Sequence, residues 1–439
     1  MEIKNKMLKL GIILILYNTF SLSAMSDTCK RSNAPFVKVR DGQFIRDGKP
    51  YYFIGANFWY ATILASTTDV GNRPKLLREL DNLKDHGINN LRILVGAESG
   101  SRNALSVQPV LQDENGKLDD RLLDGLDFLI AEMGKRDMVG VFYFSNSWDW
   151  SGGYGSYLRR AGFGDSPNAT ADGWVAYCEY AAQMNISAVA QDLFFEYISK
   201  IISRKNRYTN RLYAEEPAIM AWQIANEPRP FNMDYSDQMA QFIQKSARLI
   251  KSIDKNHLVS VGSEGIIGCQ YDSILFDKIS SDKNIDYITV HVWPRNWNWV
   301  SDTTLIEGLS HVYSETEHYL RQHYAVANKY KKPVVIEEFG YPRDDVKYLP
   351  GTPIEGRNRF YEFIFRIILE NFKSNGIVAG CNFWGWSGEG RPTSITWTTS
   401  SDYLADPPHE PQGWYSVFDS DDMTMALISL FAKSLSTSD

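Results

Sequence analysis

The sequence predicts an α/β fold, a (β/α)8 barrel with long βα loops, and three observations carry that prediction. Short apolar runs alternate with longer segments of helical periodicity, as βα units around a parallel sheet require. The long segments 148–173, 294–305 and 385–412 are rich in Trp, Gly and Asp, and each follows the C-terminal end of an apolar run. In a barrel that end carries the functional site, and long loops in compact domains are usually functional. Such a barrel takes about 250 residues, more with insertions, so one barrel with long loops accounts for most of the 439 residues.

The elements follow in order. Residues 36–46 and 49–52 flank Asp47-Gly48, a favoured hairpin turn, and predict a small hairpin at the barrel bottom. Strands are predicted at 52–59, 90–95, 139–145, 219–225, 258–262, 287–292, 333–337 and 377–384. Helices are predicted at 74–86, 119–136, 191–206, 358–372 and 423–434. The first of these places Leu76, Leu77, Leu80 and Leu83 on one face, and Gly87 ends it. His311, His318 and His323 lie in a polar helical stretch and are expected on a solvated face.

The start of the chain has the pattern of an export signal. Lys4, Lys6 and Lys9 precede an apolar run at 10–17, and small residues follow at Ser21, Ser23 and Ala24. The run is too short to span a bilayer, which takes about 20 residues. Residues 1–25 are therefore expected to be a signal peptide and 26–439 a single domain, secreted or periplasmic, with no stable membrane insertion. A lipid anchor at Cys29 fits less well, because Ser26-Asp27-Thr28 is a poor approach to it. The other cysteines are Cys178, Cys269 and Cys381; none forms a C-x-x-C pair, and Cys381 in its apolar run reads as a buried free thiol. A net charge of -7 does not indicate a large basic surface for nucleic acid. Twelve Trp and 24 Tyr beside only seven His suit a surface for sugar rings as well as a core. A monomer is expected.

Two strand ends carry the chemistry. The fourth runs Trp222-Gln223-Ile224-Ala225-Asn226-Glu227-Pro228-Arg229, and the seventh Val334-Val335-Ile336-Glu337-Glu338-Phe339-Gly340. Strands four and seven lie across a barrel mouth from each other. Two carboxylates facing across a cleft are what glycoside hydrolysis needs: one protonates the leaving oxygen, the other attacks or activates water.

Asn-Glu-Pro after strand four and Glu-Phe-Gly after strand seven resemble glycoside hydrolase family 5 over roughly residues 36–435. The resemblance implies Glu227 as acid/base and Glu338 as nucleophile, with Glu337 turned the other way by the alternation of a strand. It further implies substrate-binding roles for Trp59, Arg92, Trp148, Asn226, Arg229, His291, Trp293 and Trp384. Arg92 would keep the nucleophile ionised, Asn226 would hold the sugar 2-hydroxyl, and Trp384 would be the platform at the cleavage point. The family often has Tyr where this chain has Trp293, so the hydroxyl contact to the nucleophile is missing.

Longer strings narrow the likeness. Residues 147–153 (SWDWSGG), 291–297 (HVWPRNW), 383–392 (FWGWSGEGRP) and 406–419 (DPPHEPQGWYSVFD) resemble bacterial endo-β-1,4-mannanases of subfamily 7. That likeness implies retaining hydrolysis of internal β-1,4-mannosidic bonds in mannan, glucomannan or galactomannan, without metal or organic cofactor. The alternatives are an exo-acting mannobiohydrolase or β-mannosidase, and a β-1,4-glucanase of the same family.

Overall fold

Eight parallel strands wind around one axis in sequence order: β1 (Phe53–Asn57), β2 (Asn90–Leu94), β3 (Val139–Tyr143), β4 (Ile219–Gln223), β5 (Leu258–Ser260), β6 (Ile288–Val292), β7 (Val334–Phe339) and β8 (Val378–Phe383). The computed structural model describes residues 35–103 and 105–435. The expected signal peptide at 1–25 and Cys29 lie outside them. Each strand begins and ends within two residues of its predicted bounds. Every residue of the eight strands is buried, because side chains pack inside the barrel on one face and against helices on the other.

A helix follows each strand: Arg73–Asp85, Asp120–Lys135, Ala188–Ile202, Ser236–Ile253, Ser273–Ser280, Leu309–Tyr330, Glu355–Ser374 and Asp422–Ser434. The first starts where the Asn72 side chain accepts the Lys75 N–H at 3.0 Å, and buries Leu76, Leu80 and Leu83. Leu77 is only half-buried. The helix at Leu309–Tyr330 corrects one expectation. His311 and His318 are exposed, but His323 is buried, with Nε2 accepting the Ile266 N–H at 2.9 Å and Nδ1 lying 2.8 Å from the Tyr319 carbonyl. It continues the buried stripe of Val312, Thr316, Tyr319 and Leu320 at helical spacing, and burial lowers its pKa to about 4.

The barrel is nearly closed. β1 pairs with β8, while β5 and β6 form no ladder. That seam is held by the Asp286 N–H on the Val259 carbonyl (2.8 Å), the Val259 N–H on the Asp286 carboxylate (2.7 Å) and the His291 N–H on the Glu264 carbonyl (3.0 Å). At the bottom the predicted hairpin is three strands, Lys38–Arg40, Gln43–Arg46 and Lys49–Pro50. Asp41-Gly42 makes a second turn like Asp47-Gly48, all four residues having positive φ. Phe44 closes the barrel floor against Phe53 and Tyr287, with ring centroids 6.4 and 5.3 Å away.

The 148–173 segment is not a plain loop. It forms short helical turns at Asp149–Ser151, Gly153–Leu158 and Arg159–Phe163, punctuated by glycines of positive φ at 152, 162 and 164. These interruptions hide any helical period in the sequence. Cys178, Cys269 and Cys381 are free thiols, and Cys381 is buried as expected. Among the described residues no helix is long and apolar enough to cross a membrane.

One buried ion cluster ties the top loops to the last helix. Asp421 accepts Arg343 at 2.6 and 2.7 Å and Arg357 at 2.8 Å, and both arginines are fully buried. Removing the shared anion leaves two cations in a low-dielectric interior, so Asp421→Ala is expected to lower unfolding free energy by about 3–5 kcal/mol, measured by urea titration. Burial pushes the Asp421 carboxyl up, but Arg357 and Arg343 outweigh it and hold it below its usual value. Its contribution is therefore complete above about pH 4 and disappears as pH falls through the depressed folded value.

Candidate active site

Past the end of β4 the chain turns sharply, and Glu227 takes a left-handed backbone with φ 50°. Few non-glycine residues do so without surrounding structure to hold them. Here the Glu227 N–H donates to the Gly262 carbonyl at 2.8 Å. Gly262 must be glycine, because a Cβ there would lie 2.0 Å from the Ala225 carbonyl oxygen. The turn aims the Glu227 carboxylate into a cavity of about 570 Å³ at the C-terminal face of the barrel. Glu338, near the end of β7, lines the same cavity. Oxygens of the two carboxylates and Nδ1 of His291 all fall within 4.8 Å of one another.

Each carboxylate has its own environment. Glu338 Oε1 accepts a short charge-assisted bond from Arg92 Nη1, and Oε2 lies 3.3 Å from the Trp293 indole nitrogen. The indole N–H thus supplies the donor that a tyrosine hydroxyl gives elsewhere in the resembled family. Glu227 accepts the Trp148 indole N–H at 2.5 Å on Oε2 and sits 2.7 Å from His291 Nδ1 on Oε1. Burial raises both carboxyls, and for Glu338 the neighbouring Glu227 adds to the rise while Arg92 opposes it. Two acids this close resist being ionised together. Of the two acids only Glu338 accepts from Arg92, which favours the negative charge there. His291 is fully buried, which together with Arg92 keeps it neutral.

Arg92 lies beneath the cavity floor. Its Nε donates to Gln223 (2.8 Å), Nη1 also to Asn57 (3.1 Å) and Nη2 to Asn226 (2.7 Å), so the guanidinium is held rigidly. Asn226 lines the cavity, and its amide reaches Asn146 at 3.2 Å. Arg229 is fixed by a two-pronged pair with Glu264, both contacts 2.6 Å, and lies 5.2 Å from the centre of the Trp148 ring. Trp384 and Trp293 line the cavity edge to face, 6.0 Å apart. Trp59 departs from expectation. It is buried, bonds the Ala405 carbonyl at 2.8 Å and packs 5.4 Å from Trp150. It supports the cavity wall, and Trp150 is the residue that lines it.

The strand alternation argued for Glu337 also fails. β7 carries a bulge: Ile336 pairs with Val290 and Glu338 with the very next residue, His291. The extra residue is Glu337, which is fully buried inside the barrel, 3.5 Å from Arg92. Other residues that the sequence reading gave no role are Glu264, Trp174, Asn296, Glu410 and Tyr415, all lining the cavity. Asn296, Glu410 and Tyr415 lay inside the quoted strings, but nothing in those strings says which side chains turn inward. Glu264 and Trp174 had no signal.

A family model described as GH (glycoside hydrolase) family 5 beta-mannosidase-like matches residues 34–439. The chain is a family 5 glycoside hydrolase. This hydrolase superposes on the family 5 mannosidase of Rhizomucor miehei with a TM-score of 0.83 at 32% identity, covering 91% of this chain and 97% of that one. It is 26% identical over 371 residues to mannan endo-1,4-beta-mannosidase 1 of Arabidopsis thaliana, covering 81% of this chain and 83% of the relative. The endo-1,4-beta-mannanase of R. miehei, at 22% identity and a TM-score of 0.66, shares the fold.

Proposed function

We propose that this enzyme is a retaining hydrolase of β-1,4-mannosidic bonds, with Glu338 as nucleophile and Glu227 as acid/base. The observation that carries it is the pair itself: two carboxyls in one cavity, oxygens within 4.8 Å, one ion-paired with Arg92 and the other bonded by the Trp148 indole and close to His291. Retaining glycosidases hold their carboxyls about 5–5.5 Å apart, whereas inverting ones leave about 6.5–9.5 Å for a water. Glu338 attacks the anomeric carbon while Glu227 protonates the leaving oxygen. Glu227 then takes a proton from water, which releases the sugar with its configuration kept. Arg229, Trp148 and Trp174 lie on the Glu227 side and would receive the leaving sugar.

Mannan, glucomannan or galactomannan as substrate is supported by the mannan-named relatives and by the strings around the cavity. Internal cleavage is the first reading. Chain-end cleavage is a second, favoured by the mannosidase at TM-score 0.83 and by Glu410. Glu410 enters the cavity, where burial, Asp406 and Glu227 push its carboxyl up to about 8. A protonated acid there would meet the hydroxyls of a terminal sugar. Viscosity of a mannan solution, followed against reducing ends released, decides between them. Early collapse of viscosity establishes internal cutting, and slow decline with steady release of mannose or mannobiose establishes chain-end cutting. Release from carboxymethylcellulose at the mannan rate overturns the mannan reading itself. The leader at 1–25 supports export of a single catalytic domain, 26–439, to the periplasm or medium.

A further inference from the structure

We propose that Glu337 is a positioning residue for the catalytic pair, a third buried carboxylate that acts on Glu338 through Arg92 and on Glu227 through His291. The proposal rests on the roles given to Glu227 and Glu338 above. Its starting point is the bulge in β7, where two residues face one on β6 and three span two on β8. A regular strand would have sent this side chain to the helix layer. The bulge instead places a second acid directly below the first, in the barrel interior.

The groups facing it come from five strands. Gln223 on β4 donates Nε2 to Glu337 Oε2 at 2.7 Å. Arg92 on β2 lies 3.5 Å from the same oxygen, and His291 Nε2 on β6 lies 4.0 Å from it. Glu338 follows it on β7, and the Tyr143 and Tyr287 hydroxyls complete the charged and titratable surroundings. Arg92 hydrogen-bonds Gln223, Asn57, Asn226 and Glu338, so Glu337 meets the cation by charge alone. Two buried polar atoms, Glu337 Oε1 and His291 Nε2, have no hydrogen-bond partner among the described residues. Buried groups of this kind are costly unless something satisfies them or function retains them. Their neighbours on the other side are the two catalytic acids, because His291 Nδ1 is 2.7 Å from Glu227 and 3.3 Å from Glu338.

One guanidinium therefore serves two buried carboxylates; burial raises the Glu337 carboxyl, Arg92 and the Gln223 amide oppose that rise, and once Glu337 is ionised its charge weakens the hold of Arg92 on Glu338. The same charge disfavours ionisation of Glu227 beyond His291. Glu337 thus lifts the proton affinity of both catalytic acids together and sets the pH range in which one is ionised and the other protonated.

The test is the pH profile of kcat/KM for Glu337→Gln on an aryl β-mannoside. Loss of a buried negative charge stabilises the ionised forms of both neighbours, so both limbs are expected to move to lower pH by about one to two units, the size a charge about 6–12 Å away gives at an effective dielectric near 20. A residue that only fills space changes the height of the profile and not the position of its limbs. Limbs that superpose on the parent's, at any height, overturn the proposal. If the glutamine variant does not fold, Glu337→Thr, which also removes the charge and leaves room for water, must move the limbs the same way. Turnover retained by Glu338→Ala instead overturns the assignment of the pair, a result independent of where the limbs lie.

Discussion

Glu338→Ala is expected to lose turnover on mannan by about 10⁴-fold or more while keeping its fold. The loss follows from geometry. Glu338 combines access to the cavity with a cation, Arg92, to keep it ionised. Glu337 shares that cation but lies beneath the floor, and Glu227 holds the proton that the leaving oxygen needs. The fold survives because Arg92 keeps its bonds to Gln223, Asn57 and Asn226 and still has Glu337 at 3.5 Å. Azide fits the space vacated by the carboxylate and attacks from the nucleophile's face. The product expected from an activated β-mannoside is then the α-mannosyl azide, with configuration inverted. Turnover at the parent rate, or a β-azide, would falsify the assignment of Glu338.

Much of this site was legible in the chain, for reasons that differ residue by residue. The eight strands were readable because a doubly covered parallel sheet demands unbroken apolar runs, and such runs survive in the sequence. The strand ends at Glu227 and Glu338 stood out because a charged residue terminates each run. His323 was readable and was misread: it belongs to the stripe that starts at Val312, and counting the helical period would have buried it. Glu337 was not readable. A bulge is a property of pairing between strands, and nothing in Ile-Glu-Glu-Phe says that one residue will be left over against β6 and β8. Trp59 and Trp150 show the same limit in the loops. Both are aromatic and both follow strands, but only the course of the 148–173 segment puts Trp150 in front and Trp59 behind. Periodicity finds elements; which side chain of an irregular segment faces a cavity depends on tertiary contacts that the local sequence does not encode.

Glu227→Gln separates the two chemical steps. Glutamine keeps the shape of the acid and its contact with the Trp148 indole side, but it carries no transferable proton. Hydrolysis of mannan, whose leaving group is a sugar alcohol, is expected to fall by about 10²–10⁴-fold, the usual contribution of a general acid. A dinitrophenyl β-mannoside leaves without protonation, so its first step stays fast and the mannosyl-enzyme on Glu338 accumulates, seen as a burst of phenolate followed by slow turnover. Azide needs no general base and is expected to restore turnover, giving the β-mannosyl azide with configuration retained. The pH profile supplies the second half of the argument. In the parent, burial raises the Glu227 carboxyl, so the proton-donating form persists above the ordinary glutamate value of about 4.3 and activity declines as pH rises through the elevated one. The acid limb belongs to Glu338, which must be ionised to attack, although the two titrate as a pair. In Glu227→Gln the basic limb is expected to vanish for the activated substrate, while an acid limb remains near its parent position, because Glu338 ionises beside a neutral neighbour in both enzymes. A basic limb that persists unchanged would place the proton donor elsewhere, and Glu410, a further raised carboxyl in the cavity, would be the group to replace next.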